Sequence, residues 1–240
     1  LIIKSGQVGV GEPISSRPIP IMIFPILPPC WNIKTLLLLS SSIGKKLIMA
    51  ITGLGFCIFL LSHLTGNLII YAGNDAFNSY AERLHTLGPL LILAEIGLLF
   101  LGVVHISTGA YLFYQNLRAR PGRYRKKKNA GGRTIGSSTM PYTGFLILIF
   151  IIFHLVDFHF VEKADRSIYQ IVLETFSNPG YTIFYILSMV VVATHIDHGF
   201  WSLLQTLGID NLECMPVFRV ISSTFSLFVG IGFGSLPVFI

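Results

Sequence analysis

Charge is scarce in this sequence. Only 12% of its 240 residues are Asp, Glu, Lys or Arg, about half the share of an ordinary soluble domain. Hydrophobic residues make up 52% and the mean hydropathy is +0.71. So little charge cannot clothe a large soluble core, and the composition points to a multi-span membrane protein. Cysteine is scarce too. Cys30, Cys57 and Cys214 form neither a CxxC pair nor a CxxCH cofactor-attachment motif, so no disulfide framework or structural zinc is expected. Residues 1–40 lack an apolar run free of proline. Pro13, Pro18, Pro20, Pro25, Pro28 and Pro29 preclude a spanning helix there. They also break any signal-peptide core, and no small-residue cleavage site is evident. This proline-rich N-terminal arm receives no role, and residues 41–240 form the membrane domain.

Apolar runs of roughly 20 residues, the length that spans a bilayer, occur five times, at about 46–70, 89–115, 139–160, 180–206 and 217–238. Gly88-Pro89, Asn178-Pro179-Gly180 and Pro216 punctuate their starts. The predicted fold is an all-α membrane protein of five transmembrane helices. Net charge is +6 and unevenly spread, with eight of the 17 basic residues between Arg118 and Arg133. Such a cluster reads as a topology signal rather than a nucleic-acid patch. Together with Lys45 and Lys46 it places the N-terminus and loops 116–138 and 207–216 in the cytoplasm. Loops 71–88 and 161–178 and the C-terminus then lie outside.

His63, His105, His154 and His195 lie inside spans one, two, three and four, with His159 at the outer end of span three and His198 one turn beyond His195. At about 1.5 Å per residue, His63 and His154 lie about 26 and about 24 Å from the inner face, and His105 and His195 about 24 Å from the outer face. Two pairs result, one per leaflet. The sequence also repeats. "ITGLGFCIFLLSH" in span one and "YTGFLILIFIIFH" in span three share Thr-Gly, nine residues, then His. "HISTGAYLFYQ" and "HIDHGFWSLLQ" share His-Ile-x-x-Gly, an aromatic at His+6 and Gln at His+10. The offsets are 91 (63 to 154) and 90 (105 to 195), so a two-helix unit occurs twice.

Paired intramembrane histidines suit an iron with two axial imidazoles, each supplied by a facing helix. With no CxxCH the haems are non-covalent, b-type. The first four helices then form a dihaem-binding bundle: His63 and His154 for the outer haem, His105 and His195 for the inner one. Gly109 and Gly199, one turn beyond their histidines, leave room for a flat macrocycle. Hydrogen-bonded structural histidines and a proton-relay transporter are the alternatives. The relay needs acidic partners at the same level, and Asp197 is the only nearby carboxylate. His198 and Asp197 have no counterpart in "HISTG", which singles out His195.

The chain resembles the dihaem cytochrome b membrane anchors of succinate dehydrogenases and quinol:fumarate reductases, the b558 type with a single large anchor. The resemblance covers about residues 41–238 and rests on "SSIGKKLIMAITG", "SHLTGN", "AFNSYAERLHTLGPLLILAEIG", "VVHISTGAYLFYQNLRARPGRY" and "HIDHGFWSLLQTLGI". It implies axial ligation by His63, His105, His154 and His195. It further implies a flavoprotein and an iron–sulfur subunit on the cytoplasmic side, exchange of electrons with menaquinone or menaquinol, and a multi-pass location in the inner membrane of a bacterium. A dimer of such heterotrimers is compatible with it, and nucleic acid is not a partner. The same parts serve succinate oxidation and fumarate reduction. Some members carry a Glu two residues before the fourth-span ligand for proton transfer, where this chain has Ala193. The cytochrome b anchors of hydrogenases, formate dehydrogenases and nitrate reductases are a second redox reading, but they tend to place two ligands on one helix.

Oxidising a quinol releases protons near the outer haem. Glu95, about 9 Å below the outer end of span two, is a candidate acceptor, with Glu82 and His85 in the adjoining loop. Haem propionates need donors near the membrane faces. Lys45, Lys46, Arg118 and Arg120 are candidates on the inner side and His159 on the outer.

Overall fold

The computed structural model describes residues 41–119, 135–162, 165–209 and 215–240. The N-terminal arm, Arg120 and most of the basic loop lie outside the described residues. Among the described residues seven α-helices follow in order: α1 Ser42–Leu68, α2 Asn74–His85, α3 Pro89–Arg118, α4 Ile135–Phe158, α5 Ile168–Phe176, α6 Pro179–Thr206 and α7 Met215–Phe239. A single 3₁₀ turn, Ile69–Ala72, extends α1. Five of these elements are long and apolar enough to cross a membrane, one for each run read from the sequence.

The boundaries follow local chemistry. Helix α1 begins four residues before the predicted start because the Ser41 hydroxyl accepts from the Gly44 N–H at 3.1 Å, capping the first turn. Lys45 and Lys46 therefore sit within the helix, where long side chains can reach a headgroup region from inside a span. At α6 the Asn178 side chain accepts from the Gly180 N–H at 2.8 Å and Pro179 takes the first helical position, where its missing N–H is harmless. Gly73 and Gly88 adopt φ of 96° and 51°, left-handed values that favour glycine, and turn the chain into α2 and α3.

Helices α2 and α5 differ from expectation: both segments read as plain loops. Helix α5 starts on a reciprocal cap in which Ser167 Oγ accepts from the Gln170 N–H at 3.2 Å and Gln170 Oε1 from the Ser167 N–H at 2.8 Å. The two short helices meet at one end of the bundle. Ile70, Phe77 and Leu236 are buried there against Ile168, Tyr169 and Val172. The Tyr169 N–H donates to Asn78 Oδ1 at 3.1 Å, and Tyr80 lies so close over Gly66 that a Cβ there would stand 2.3 Å from its hydroxyl. We call this the capped end. Lys45, Arg118 and Arg219 mark the opposite, basic end.

Between the ends, α6 is the central helix, packed against α1, α4, α5 and α7. Met189, Val192, Ile196 and Val229 are buried together against Leu60, Ile147, Phe150, Phe225 and Phe233. Apolar burial gains little when the surroundings are lipid, so close approach of small residues carries the packing. Ala193 faces Gly230 and Leu64 faces Gly232. Helix α3 packs mainly against α1 and buries no residue. Its exposed Leu90, Ile92, Leu93, Ile96, Leu99, Phe100 and Val103 form a surface suited to lipid tails.

Candidate metal centre

Two of the four intramembrane histidines meet ring to ring, and the other two each lie against a threonine of a neighbouring helix. At the capped side of the bundle the rings of His63 on α1 and His154 on α4 have centroids 5.9 Å apart and planes at 85°. Aromatic rings hold them: Phe59 stacks on His63 at 5.2 Å, Phe233 lies 5.5 Å from it, and Phe150 and Phe158 flank His154 at 5.7 and 5.4 Å. Nearer the basic end lie His105 on α3 and His195 on α6, each within hydrogen-bond distance of a threonine.

The Thr-Gly element of the repeat acquires a structural meaning at this second pair. Thr52 Oγ1 of α1 lies 2.9 Å from His105 Nδ1, and Thr143 Oγ1 of α4 lies 3.0 Å from His195 Nδ1. The following glycines sit against the same rings: a Cβ at Gly53 would stand 3.7 Å from His105 Cε1, and one at Gly144 would stand 3.4 Å from His195 Cε1. Each two-helix unit is thus closed by one threonine–histidine contact. Eleven residues separate Thr52 from His63 and Thr143 from His154, which sets the two histidine levels roughly 16 Å apart along the helix axes.

The donor set fits a bis-imidazole iron. Two imidazoles bonded from opposite sides to one iron at about 2.0 Å hold their ring centroids roughly 6 Å apart, and His63 and His154 are at 5.9 Å. His154 Nδ1 is buried with no hydrogen-bond partner among the described residues, an arrangement costing about 1–3 kcal/mol unless a bound group relieves it. Among the described residues no three His, Cys, Asp or Glu side chains converge as a metal cluster; the ligand candidates come in twos.

The other predicted residues are placed as follows. Gly109 and Gly199 face the ends of Met49 and Met140, each three residues before the threonine of its unit; an added Cβ would meet them at 3.6 and 3.8 Å. Lys45 Nζ lies 4.7 Å over the Tyr111 ring and joins α1 to α3, while Lys46 and Arg118 are exposed. His159 is exposed at the capped end, edge-on to Phe160 at 4.7 Å. Glu82 and His85 lie exposed on α2 and Glu95 is exposed on α3. His198 packs against the start of α4, where a Cβ on Gly136 would stand 3.0 Å from it. Asp197 takes its hydrogen bonds from α7. Its carboxylate accepts from Arg219 at 2.8 Å and from the Ser223 hydroxyl at 2.8 Å, while its carbonyl accepts from Ser222. That carboxylate ties α6 to α7.

One group escaped the sequence reading. Asp157, one turn past His154 on α4, accepts from the Tyr185 hydroxyl at 2.7 Å. Tyr185 is buried against Phe150, Phe158 and Phe176, and its ring lies 6.2 Å from that of His154. Asp157 also lines a cavity of about 330 Å³ with Val156, Val161, Glu174, Thr175, Asn178 and Tyr181. An Asp within the last turn of an apolar run was the available signal.

No family model and no solved structure matches the sequence. Among curated proteins, the chain is 27% identical over 158 residues to the succinate dehydrogenase cytochrome b558 subunit of Bacillus subtilis (strain 168), across 63% of this chain and 73% of that subunit. The five helices and this similarity agree: the chain is similar, over most of its membrane-spanning part, to a succinate dehydrogenase cytochrome b558 subunit.

Proposed function

We propose that this chain is the membrane anchor and electron-transfer subunit of a succinate dehydrogenase or quinol:fumarate reductase complex. The observation that carries the reading is the meeting of His63 and His154 from two helices, with rings 5.9 Å apart, in a chain similar to a cytochrome b558 subunit. In this reading His63 and His154 hold one haem b, and His105 and His195 hold a second. Each bound haem would supply one-electron transfer, and its two axial imidazoles leave no position open for O₂ or substrate.

The chain's own residues set direction and access. The basic end, with Lys45, Lys46, Arg118 and the 118–133 cluster, faces the cytoplasm and receives the iron–sulfur subunit, which docks the flavoprotein. Lys45, Lys46 and Arg118, with Arg120 by its place in the sequence, are candidates to meet propionates or the partner's surface, and His159 is the candidate on the other face. The capped end faces outward. There the menaquinol or menaquinone headgroup exchanges electrons near the His63–His154 pair. Glu82, His85 and Glu95 remain candidates to take its protons, and Asp157 joins them because it lines a cavity beside that pair. The N-terminus is cytoplasmic and the C-terminus outside.

The purified complex tests this reading. Succinate should reduce b-type haem in it, with two haems per chain by pyridine haemochrome assay. A complex without haem, or haem that only a chemical reductant reaches, contradicts the proposal.

A further inference from the structure

The repeat closes each two-helix unit with a threonine on one helix and a histidine on the next. The proton positions of those contacts follow from counting donors. A threonine hydroxyl has one proton and can accept as well as donate. Thr52 Oγ1 lies 2.8 Å from the Ile48 carbonyl oxygen and 3.2 Å from that of Met49. Thr143 Oγ1 lies 3.2 Å from the Thr139 carbonyl oxygen and 3.1 Å from that of Met140. Each hydroxyl proton thus has an acceptor within its own helix, the usual back-bonding of threonine in membrane helices.

If the histidine Nδ1 carries a proton, two hydrogen bonds form: hydroxyl to carbonyl, and Nδ1–H to hydroxyl oxygen. If Nδ1 is bare, the single hydroxyl proton must serve either the carbonyl or the ring. Within a bilayer no water makes up the difference. Protonated Nδ1 leaves the lone pair on Nε2, the nitrogen across the ring. The capped-end pair has no such device. His154 Nδ1 has no partner among the described residues, and the Asn67 amide approaches the His63 ring only at 3.4 Å while bonding the His63 carbonyl at 2.8 Å.

We propose that Thr52 and Thr143 are positioning residues that fix His105 and His195 in the Nδ1-protonated tautomer and aim Nε2 at one iron, a control that the His63–His154 pair lacks. The proposal rests on the haem-ligand reading above. An acceptor behind an axial imidazole raises its basicity and fixes its orientation, and loss of such a partner commonly weakens metal retention about 10–100-fold.

The test uses Thr52→Val, Thr143→Val and the matching serine variants in the assembled complex. Haem content, the low-spin electron paramagnetic resonance signal and the midpoint potential of each haem are the readouts. Each valine variant should shift the signal of one haem only, the one lost in His105→Ala. It should also raise that haem's potential, because an N–H without an acceptor gives the iron less electron density. Serine should restore wild-type values. Unchanged signal and potential in both valine variants overturn the proposal and leave the haem reading standing. A serine variant that behaves like valine overturns it too, because the methyl group would then be what matters. Two haems retained in His105→Ala overturn the reading beneath it. If one valine variant does not accumulate, the other carries the test, since each threonine serves a separate histidine.

Discussion

Gly230→Ala adds one carbon to the crossing of α6 and α7. That carbon would stand 2.8 Å from Ala193 Cβ, while the next atoms, the Met189 carbonyl oxygen and Ala193 Cα, are at 3.6 and 4.0 Å. Carbon atoms in contact prefer about 3.5–4.0 Å, so the helices must part by roughly 1 Å. Ala193 Cβ is fixed to the backbone and cannot swing aside. Overpacking of this kind costs about 1–3 kcal/mol, partly offset by the helix preference of Ala over Gly, about 1 kcal/mol. Ala193→Gly removes the opposing carbon and gives that preference back. The double variant should therefore be more stable than the sum of its singles by about 1–2 kcal/mol, a coupling expected only of touching residues. Detergent-solubilised protein titrated with dodecyl sulfate and followed by circular dichroism measures all four corners of the cycle. Additivity within about 0.5 kcal/mol would show that α6 and α7 do not meet at these residues. It would also unseat the account of why Ala193 is small here.

Two further outcomes probe the capped end and the glycines. Asp157→Asn keeps the side chain's shape and removes its charge; quinol-linked turnover should fall by about tenfold or more with the haem spectrum unchanged, and unaltered turnover would rule Asp157 out as a proton acceptor. In Gly109→Leu and Gly199→Leu the new Cβ meets only the flexible ends of Met49 and Met140. The helices should therefore still assemble, shown by unchanged circular dichroism, while haem content falls; full haem content would remove both glycines from any role in haem packing.

The spans were legible because they depend on one length, the rise per residue, applied to apolar runs, and the same length sets His63 and His154 at one level, where their rings lie 5.9 Å apart. The repeat was legible as a pattern, but its meaning was not. Which helix Thr52 and Thr143 face depends on how α1 and α4 are rotated against α3 and α6, and sequence spacing does not carry that rotation. Helices α2 and α5 were missed for a related reason. Helices of 12 and 9 residues are marginal alone and form where Phe77, Ile171 and Tyr169 find partners from distant parts of the chain. Asp197 was read beside His195 because they are two residues apart, yet successive helical positions diverge by about 100°, and the carboxylate serves α7. Asp157 was passed over as the polar edge of a span, although its partner Tyr185 lies 28 residues away.

The central claim is that four histidines make two separate two-ligand sites. Single alanine replacements of His63, His105, His154 and His195, each assayed for haem content with a redox titration of what remains, test it most directly. The account predicts two classes: loss of one titrating component in the His63 and His154 variants, and loss of the other in the His105 and His195 variants. Any other grouping, such as His63 with His105, or four variants that each keep both haems, would contradict it.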